Sequence, residues 1–142
     1  MREIDEIQLA IGDAILRTIN INDWESAWLS IGIIHPIVEE SWMKIEGRDG
    51  QVHNVEVPDE VTLCMAELRQ VMHDPKKGTW YIAEVSLKRD GLALEMTFDY
   101  DSEPAWTAIR PKREAYEDDH AKYPRPIEIL PAWHPVSPKF ID

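Results

Sequence analysis

From Trp80 to Tyr100, apolar and polar residues alternate around one turn signal. Leu92, Leu94, Met96, Phe98 and Tyr100 share one face, and Ala93, Glu95, Thr97, Asp99 and Asp101 share the other, which is the period of a half-buried strand. Upstream, Tyr81, Ala83, Val85 and Leu87 form the matching apolar set, and Asp90-Gly91 suits a two-residue type I′ turn. Pairing across that turn sets Leu87 opposite Leu94, Val85 opposite Met96, Ala83 opposite Phe98 and Tyr81 opposite Tyr100. A slip of one residue would destroy the agreement between the two apolar faces. The opposite face, with Trp80, Ile82, Glu84, Glu95, Thr97 and Asp99, is polar except at its first end. The pattern predicts an antiparallel sheet with one face on helices and the other free for solvent or a partner.

The period changes along the rest of the chain. Ile4, Ile7, Ile11, Ala14, Ile15 and Ile19 recur at helical spacing, so Met1 to about Ile19 reads as an amphipathic helix. Trp24 to Ile34 alternates again, with Ala27, Leu29, Ile31 and Ile33 on one side, and His35-Pro36 closes it. Val38 to Glu46 and Gln51 to Val57 form a second hairpin around Gly47 to Gly50. A three-residue loop there sets Met43 and Ile45 against Val57 and Val55, apolar to apolar. Val61, Cys64, Met65, Leu68, Val71 and Met72 mark a second helix, opened by Pro58-Asp59 and stopped near His73. Seven of the ten prolines lie from Pro104 onward, which makes this part a wrapping segment. One short helix is predicted in it, with Pro111 in its first turn, Tyr116, Asp119 or His120, and Tyr123 on a shared face, and Pro124 at its end. Ile127, Ile129, Leu130 and Trp133 are the candidate anchors of the tail. The fold class is therefore α+β, in the order α-β-β-β-α-β-β-α: about five antiparallel strands packed on helices. The chain, 1–142, is one domain, with a core over 1–103 and a proline-rich segment over 104–142.

Composition narrows the function. The net charge is -12, from 27 acidic and 15 basic residues, which argues against binding nucleic acid phosphates and fits either solubility or attraction to a basic partner. The first 57 residues hold 11 acids and four bases. The lone Cys64 excludes an intrachain disulfide, and no stretch has the character of a secretory signal or membrane span. A cytoplasmic protein is the expectation.

The sequence carries no P-loop, no dinucleotide fingerprint, no His-Glu-x-x-His and no paired cysteines, so no cofactor or metal is expected and an enzyme is not. The densest chemical candidate is Asp99, Asp101 and Glu103, three carboxylates spaced two apart at a strand end. A hard cation could use such oxygens, but the glycine and distal glutamate of an EF-hand are missing, which favours a solvated or partner-facing edge. Glu114, Glu117, Asp118, Asp119 and His120 form a second acidic group, best read as the wet side of the short helix. Cys64 lies on an apolar helical stripe, as a small core residue does. The six tryptophans are more informative: Trp28, Trp42 and Trp80 fall on the outer sheet face and Trp106 follows the acidic run. Tryptophan among carboxylates anchors a basic protein partner well, unless the tail covers it.

Longer stretches resemble a family. The opening helix, the strand that begins Asn22-Asp23-Trp24-Glu25, and the strand ending Thr97-Phe98-Asp99-Tyr100 are similar to the YezG-like immunity or antitoxin proteins of bacterial polymorphic toxin systems. Tyr123-Pro124-Arg125-Pro126 to Ile129-Leu130-Pro131-Ala132-Trp133 resembles the ending of small bacterial immunity proteins. The tail is richer in proline than the YezG pattern. The resemblance implies a non-enzymatic inhibitor that binds one cognate toxin domain in the cytoplasm, commonly a nuclease or another intracellular effector.

Residues and resemblance together give an expected binding surface of Asp99, Asp101, Glu103, Trp106, Tyr116, Glu117, Asp118 and Asp119, facing a basic toxin. The acidic first segment, with Asp23, Glu25, Glu39 and Glu40, is the alternative surface. Two rival functions are a metal-dependent hydrolase using Asp99, Asp101 and Glu103, and a module that self-associates through Trp80 and Ile82.

Overall fold

Strand β1 (Trp24–Ile34) carries Ala27, Leu29, Ile31 and Ile33 on one side, all buried, and this side needs helices to cover it. The computed structural model describes residues 2–141. In it β1 pairs with β2 (Val38–Gly47) on one edge and β4 (Ile82–Lys88) on the other. With β3 (Val52–Val55) and β5 (Ala93–Asp99) outermost, the sheet order is β3-β2-β1-β4-β5, antiparallel throughout. This is the α+β architecture predicted, element for element.

The inner face packs on α1 (Ile4–Thr18) and α2 (Asp59–Val71). Helix α1 buries Ile7, Ile11, Ala14 and Ile15, and its first-turn Asp5 and Glu6 suit the positive end of the helix. Met1 lies outside the described residues. The α2 stripe holds as predicted through Val61, Cys64, Met65 and Leu68, and it buries Thr62 and Arg69 as well. The two helices are joined at their ends by Arg2–Glu67 and Arg17–Glu60 ion pairs.

Both hairpins depart from the prediction in detail. In the central hairpin, Leu87↔Leu94, Val85↔Met96 and Ala83↔Phe98 pair as expected. The connection, however, is a four-residue turn, Arg89 to Leu92, with Gly91 at φ 74° and Leu92 at φ 48°. The cause is Arg89, whose backbone N–H donates to Glu25 O at 2.9 Å instead of to the hairpin. Its guanidinium also donates to Asn22 O at 2.7 Å. In the other hairpin the loop has three residues, Arg48 to Gly50, closed by Gly47 N–H to Gln51 O at 3.0 Å. Met43 therefore faces Val55 and Ile45 faces His53, two residues short of the expected partners, with both side chains still inward.

Trp80 is the larger correction. Its side chain is 0% exposed and lies in the core, with its ring 5.5 Å from Phe98. The alternation fails because the chain bends at Tyr81 before β4 begins. Tyr81 N–H donates to Asp99 O at 2.9 Å, Ile33 N–H donates to Tyr81 O at 3.1 Å, and Tyr81 leaves its expected place opposite Tyr100. The Tyr81 ring turns instead to the tail, 5.0 Å from Trp133.

The tail closes one end of the outer sheet face. Helix α3 (Arg113–Lys122) starts two residues after Pro111 and stops before Pro124. With Trp133, it covers a second apolar cluster of Ile34, Tyr81 and Tyr116. Leu130, Arg125 and His134 are the buried anchors of the final segment, whereas Ile127 and Ile129 are exposed. Two glycines make room for this wrap. A Cβ on Gly32 would lie 2.5 Å from Pro104 Cβ, and one on Gly78, at φ 79°, would lie 2.5 Å from Arg125 Cδ. Gly32→Ala is expected to lower stability by about 1–3 kcal/mol through overpacking. That exceeds the roughly 0.4–1 kcal/mol that a less flexible unfolded chain would return. Urea unfolding beside a Ser30→Ala control checks this, and an unchanged midpoint would show that Pro104 is not seated on Gly32.

Candidate protein-binding surface

The expected acidic site divides into parts with different surroundings. Asp99 accepts the backbone N–H groups of Asp101 and Ser102, both at 2.9 Å. Burial opposes its ionisation, yet these donors hold its carboxyl below the usual range. Asp101 is exposed, 3.6 Å from Arg125. Glu103 accepts Tyr116 Oη–H at 2.6 Å and Arg110 Nε–H at 2.7 Å. Trp106 donates its indole N–H to Tyr116 Oη at 2.8 Å. The chain Trp106–Tyr116–Glu103–Arg110 therefore fastens the wrap to α3. Among the described residues, no group of three or more His, Cys, Asp or Glu is placed to hold a metal ion.

On α3, Glu117 and Asp118 are exposed, but Tyr116 and Asp119 are buried and cannot present a surface to a partner. Asp119 is 2% exposed because Arg69 reaches it from α2. Arg69 Nη2 donates to Oδ2 at 2.9 Å, Nη1 donates to Oδ1, and Nε donates to Trp80 O at 2.6 Å. His35 N–H adds a bond to Asp119 Oδ1 at 2.7 Å. The rings of Tyr81 and Tyr123 lie 5.4 and 5.3 Å from the guanidinium. The pair is structural, locking α3 to α2 around the end of the sheet.

His134 plugs the same end, 0% exposed, with the rings of Tyr81, Tyr116, Trp133 and His120 around it. Its Nδ1 accepts Val136 N–H at 3.1 Å, so the proton sits on Nε2, which has no partner among the described residues. Burial pushes its pKa down to about 4; His120 and Arg125 add to the shift, and Asp119 and Glu103 oppose it. In the folded protein His134 is thus neutral over a range in which the unfolded chain, titrating near 6.5, takes up a proton. Stability is expected to fall by up to about 3 kcal/mol as pH drops from about 6.5 to 4. In His134→Asn that share of the slope disappears, and urea midpoints measured across this range test it. Parallel curves for the two proteins would refute it.

The rest of the outer face stays open. Register sets Lys44, Trp28, Ser86 and Glu95 in one row, Trp42, Ser30, Glu84 and Thr97 in the next, and Glu40, Gly32, Ile82 and Asp99 in a third. Pro104 lies on the third row and ends the covered part. Two adjoining hollows of about 180 and 320 Å³ share Trp42 and Glu84. The first is lined by Trp28 and Glu95 and the second by Glu40, Ile82, Glu103 and Pro104, and neither is lined by a lysine or arginine. Trp42 is 45% exposed there. Glu40 accepts Thr107 N–H at 2.7 Å, while Glu84 and Glu95 have no side-chain hydrogen bond or ion pair among the described residues. Wider depressions elsewhere carry basic side chains: one is lined by Asp23, Arg48 and Asp49, another by Arg110, Trp133 and Lys139. The trough at Trp42 combines an aromatic wall with two carboxylates, Glu84 and Glu95, that have no ion-pair partner among the described residues. Trp42 is thus the exposed tryptophan of this face, Trp28 and Trp106 are each half-buried, and Glu40 is the only carboxylate of the alternative surface that lines the trough.

No helix among the described residues is long and apolar enough to cross a membrane. No protein-family model matches the chain, and no curated protein matches it.

Proposed function

We propose that the protein is an immunity protein, an antitoxin that binds a basic cognate toxin domain and neutralises it by direct contact. One observation carries this reading: an exposed tryptophan, Trp42, shares an open sheet face with Glu84 and Glu95, which have no ion-pair partner among the described residues, on a chain of net charge -12. Such a surface attracts a basic partner over distance and then offers a large aromatic contact to hold it. The resemblance to YezG-like proteins points the same way. The hydrolase alternative has less support, because Asp99 accepts the backbone of its own turn and Glu103 accepts from Tyr116 and Arg110. Self-association through Trp80 has lost its main residue to the core.

Co-expression with the C-terminal domain encoded immediately upstream in the genome tests the proposal, scored by host survival and by co-elution on a sizing column. Survival with co-elution is the expected result. A toxic domain that kills despite the folded protein and elutes apart from it would overturn the proposal.

A further inference from the structure

We infer that the trough is an arginine-accepting pocket, in which an arginine side chain of the partner lies against Trp42 and ion-pairs with Glu84. The inference deepens the proposed function and rests on it for the identity of the partner as a protein.

The trough lies where two hairpins meet. Trp42 comes from β2 and Glu84 from β4, and they stand in one row with only Ser30 of β1 between them. Among the described residues nothing ion-pairs with Glu84, whose neighbours across the strands are the uncharged Ser30 and Thr97. The hollow beside it, about 320 Å³, has Ile82 and Pro104 as apolar walls and is also bounded by Glu40 and Glu103. Glu40 accepts Thr107 N–H and Glu103 is paired with Arg110, so Glu84 is the carboxylate there that an entering cation finds unpaired among the described residues. An entering side chain would need an apolar stem and a cationic head. The Trp42 ring already attracts a cation within the chain, since Lys44 Nζ lies 5.3 Å from its centroid. Of the two long cations, arginine fits better: its flat guanidinium stacks on indole and presents several N–H donors to carboxylates at once. Two other occupants are disfavoured by charge. A second copy of this chain would set the same glutamates against each other, and nucleic acid would bring phosphates to them.

The test uses the full-length protein and an arginine-glycine peptide, capped at both ends, titrated while the indole and backbone N–H signals are followed by NMR. Glutamate-glycine and lysine-glycine peptides of equal length serve as comparisons. Shifts are expected to centre on the Trp42 and Trp28 indoles and on the β1, β2 and β4 amides. Affinity should follow the order arginine, lysine, glutamate, and Glu84→Gln and Trp42→Ala should each weaken arginine-peptide binding about tenfold or more. Glu117→Gln, on the exposed side of α3, should change it by less than about twofold. Shifts spread evenly over all acidic surfaces, or equal losses in Glu84→Gln and Glu117→Gln, would overturn the inference. The outcome is separable from that of the proposed function. Peptide binding at the trough without protection from the toxin would remove the function and leave the pocket. Full protection by a folded Glu84→Arg variant would remove the pocket as the toxin-binding site and leave the function.

Discussion

Asp119→Ala is expected to cost about 3–5 kcal/mol of stability, the range for breaking a buried ion pair by removing one partner. A domain of ordinary stability has only about 5–15 kcal/mol in total. The loss comes from what is left behind. Arg69, 2% exposed, would keep its bond to Trp80 O and the faces of two tyrosines, but its charge would have no counter-ion in a site closed to water. His35 N–H would also lose its acceptor. Replacing both partners at once, as Arg69→Met with Asp119→Leu, should recover most of the loss, because no unpaired charge then remains. Glu117→Ala and Asp118→Ala, two residues and one residue away on the exposed side, should stay within about 0.5 kcal/mol. Urea unfolding of the four variants gives the comparison. An Asp119→Ala midpoint equal to that of Asp118→Ala would mean that the pair contributes nothing.

The same contrast shows where the sequence is readable. Each hairpin is local: Leu87 and Leu94 find each other across a few residues, and the alternation of apolar side chains leaves one register that buries them all. Helix faces are equally local, which is why the α1 and α2 stripes match the structure except at Ile4, which the first turn of α1 leaves exposed. Asp119 is not local. Its sequence neighbours Glu117, Asp118 and His120 make it look like one more solvated carboxylate, and the arginine that buries it lies 50 residues earlier. No spacing within α3 signals that partner. The trough was hidden for a related reason. Trp28, Trp42, Glu84 and Glu95 are recognisable as outer-face residues of separate strands, but only the order β2-β1-β4 brings Trp42 and Glu84 into one row. Strand order is set by how whole faces pack on the helices, and the alternation within a strand carries no record of it. Gly32 gave a weak clue, a residue without a side chain in an apolar strand, where another segment can approach closely.

Trp80→Ala and Trp42→Ala should differ more sharply than any other pair of like substitutions in this chain. In Trp80→Ala the expected cost is about 3–5 kcal/mol, because a large side chain at 0% exposure leaves a cavity that neighbours such as Phe98 fill only in part. The bend at Tyr81 that turns Trp80 inward is fixed by backbone bonds to Asp99 and Ile33, so the mutant chain cannot relax by restoring the alternation. Trp80→Phe should cost much less. It keeps an aromatic ring and removes an indole N–H that is buried without a hydrogen-bond partner among the described residues. In Trp42→Ala the stability change should stay below about 1 kcal/mol, since nearly half of the ring is in water and Lys44 is its only cationic neighbour among the described residues. Binding should respond in the opposite order: Trp42→Ala loses partner affinity while folded, and Trp80→Phe retains it. Paired urea melts and co-elution with the proposed toxin partner decide the matter. If Trp80→Ala melts like the parent protein, the inward bend at Tyr81 is wrong. If Trp42→Ala binds the proposed toxin partner as tightly as the parent, the open sheet face is not where that partner docks.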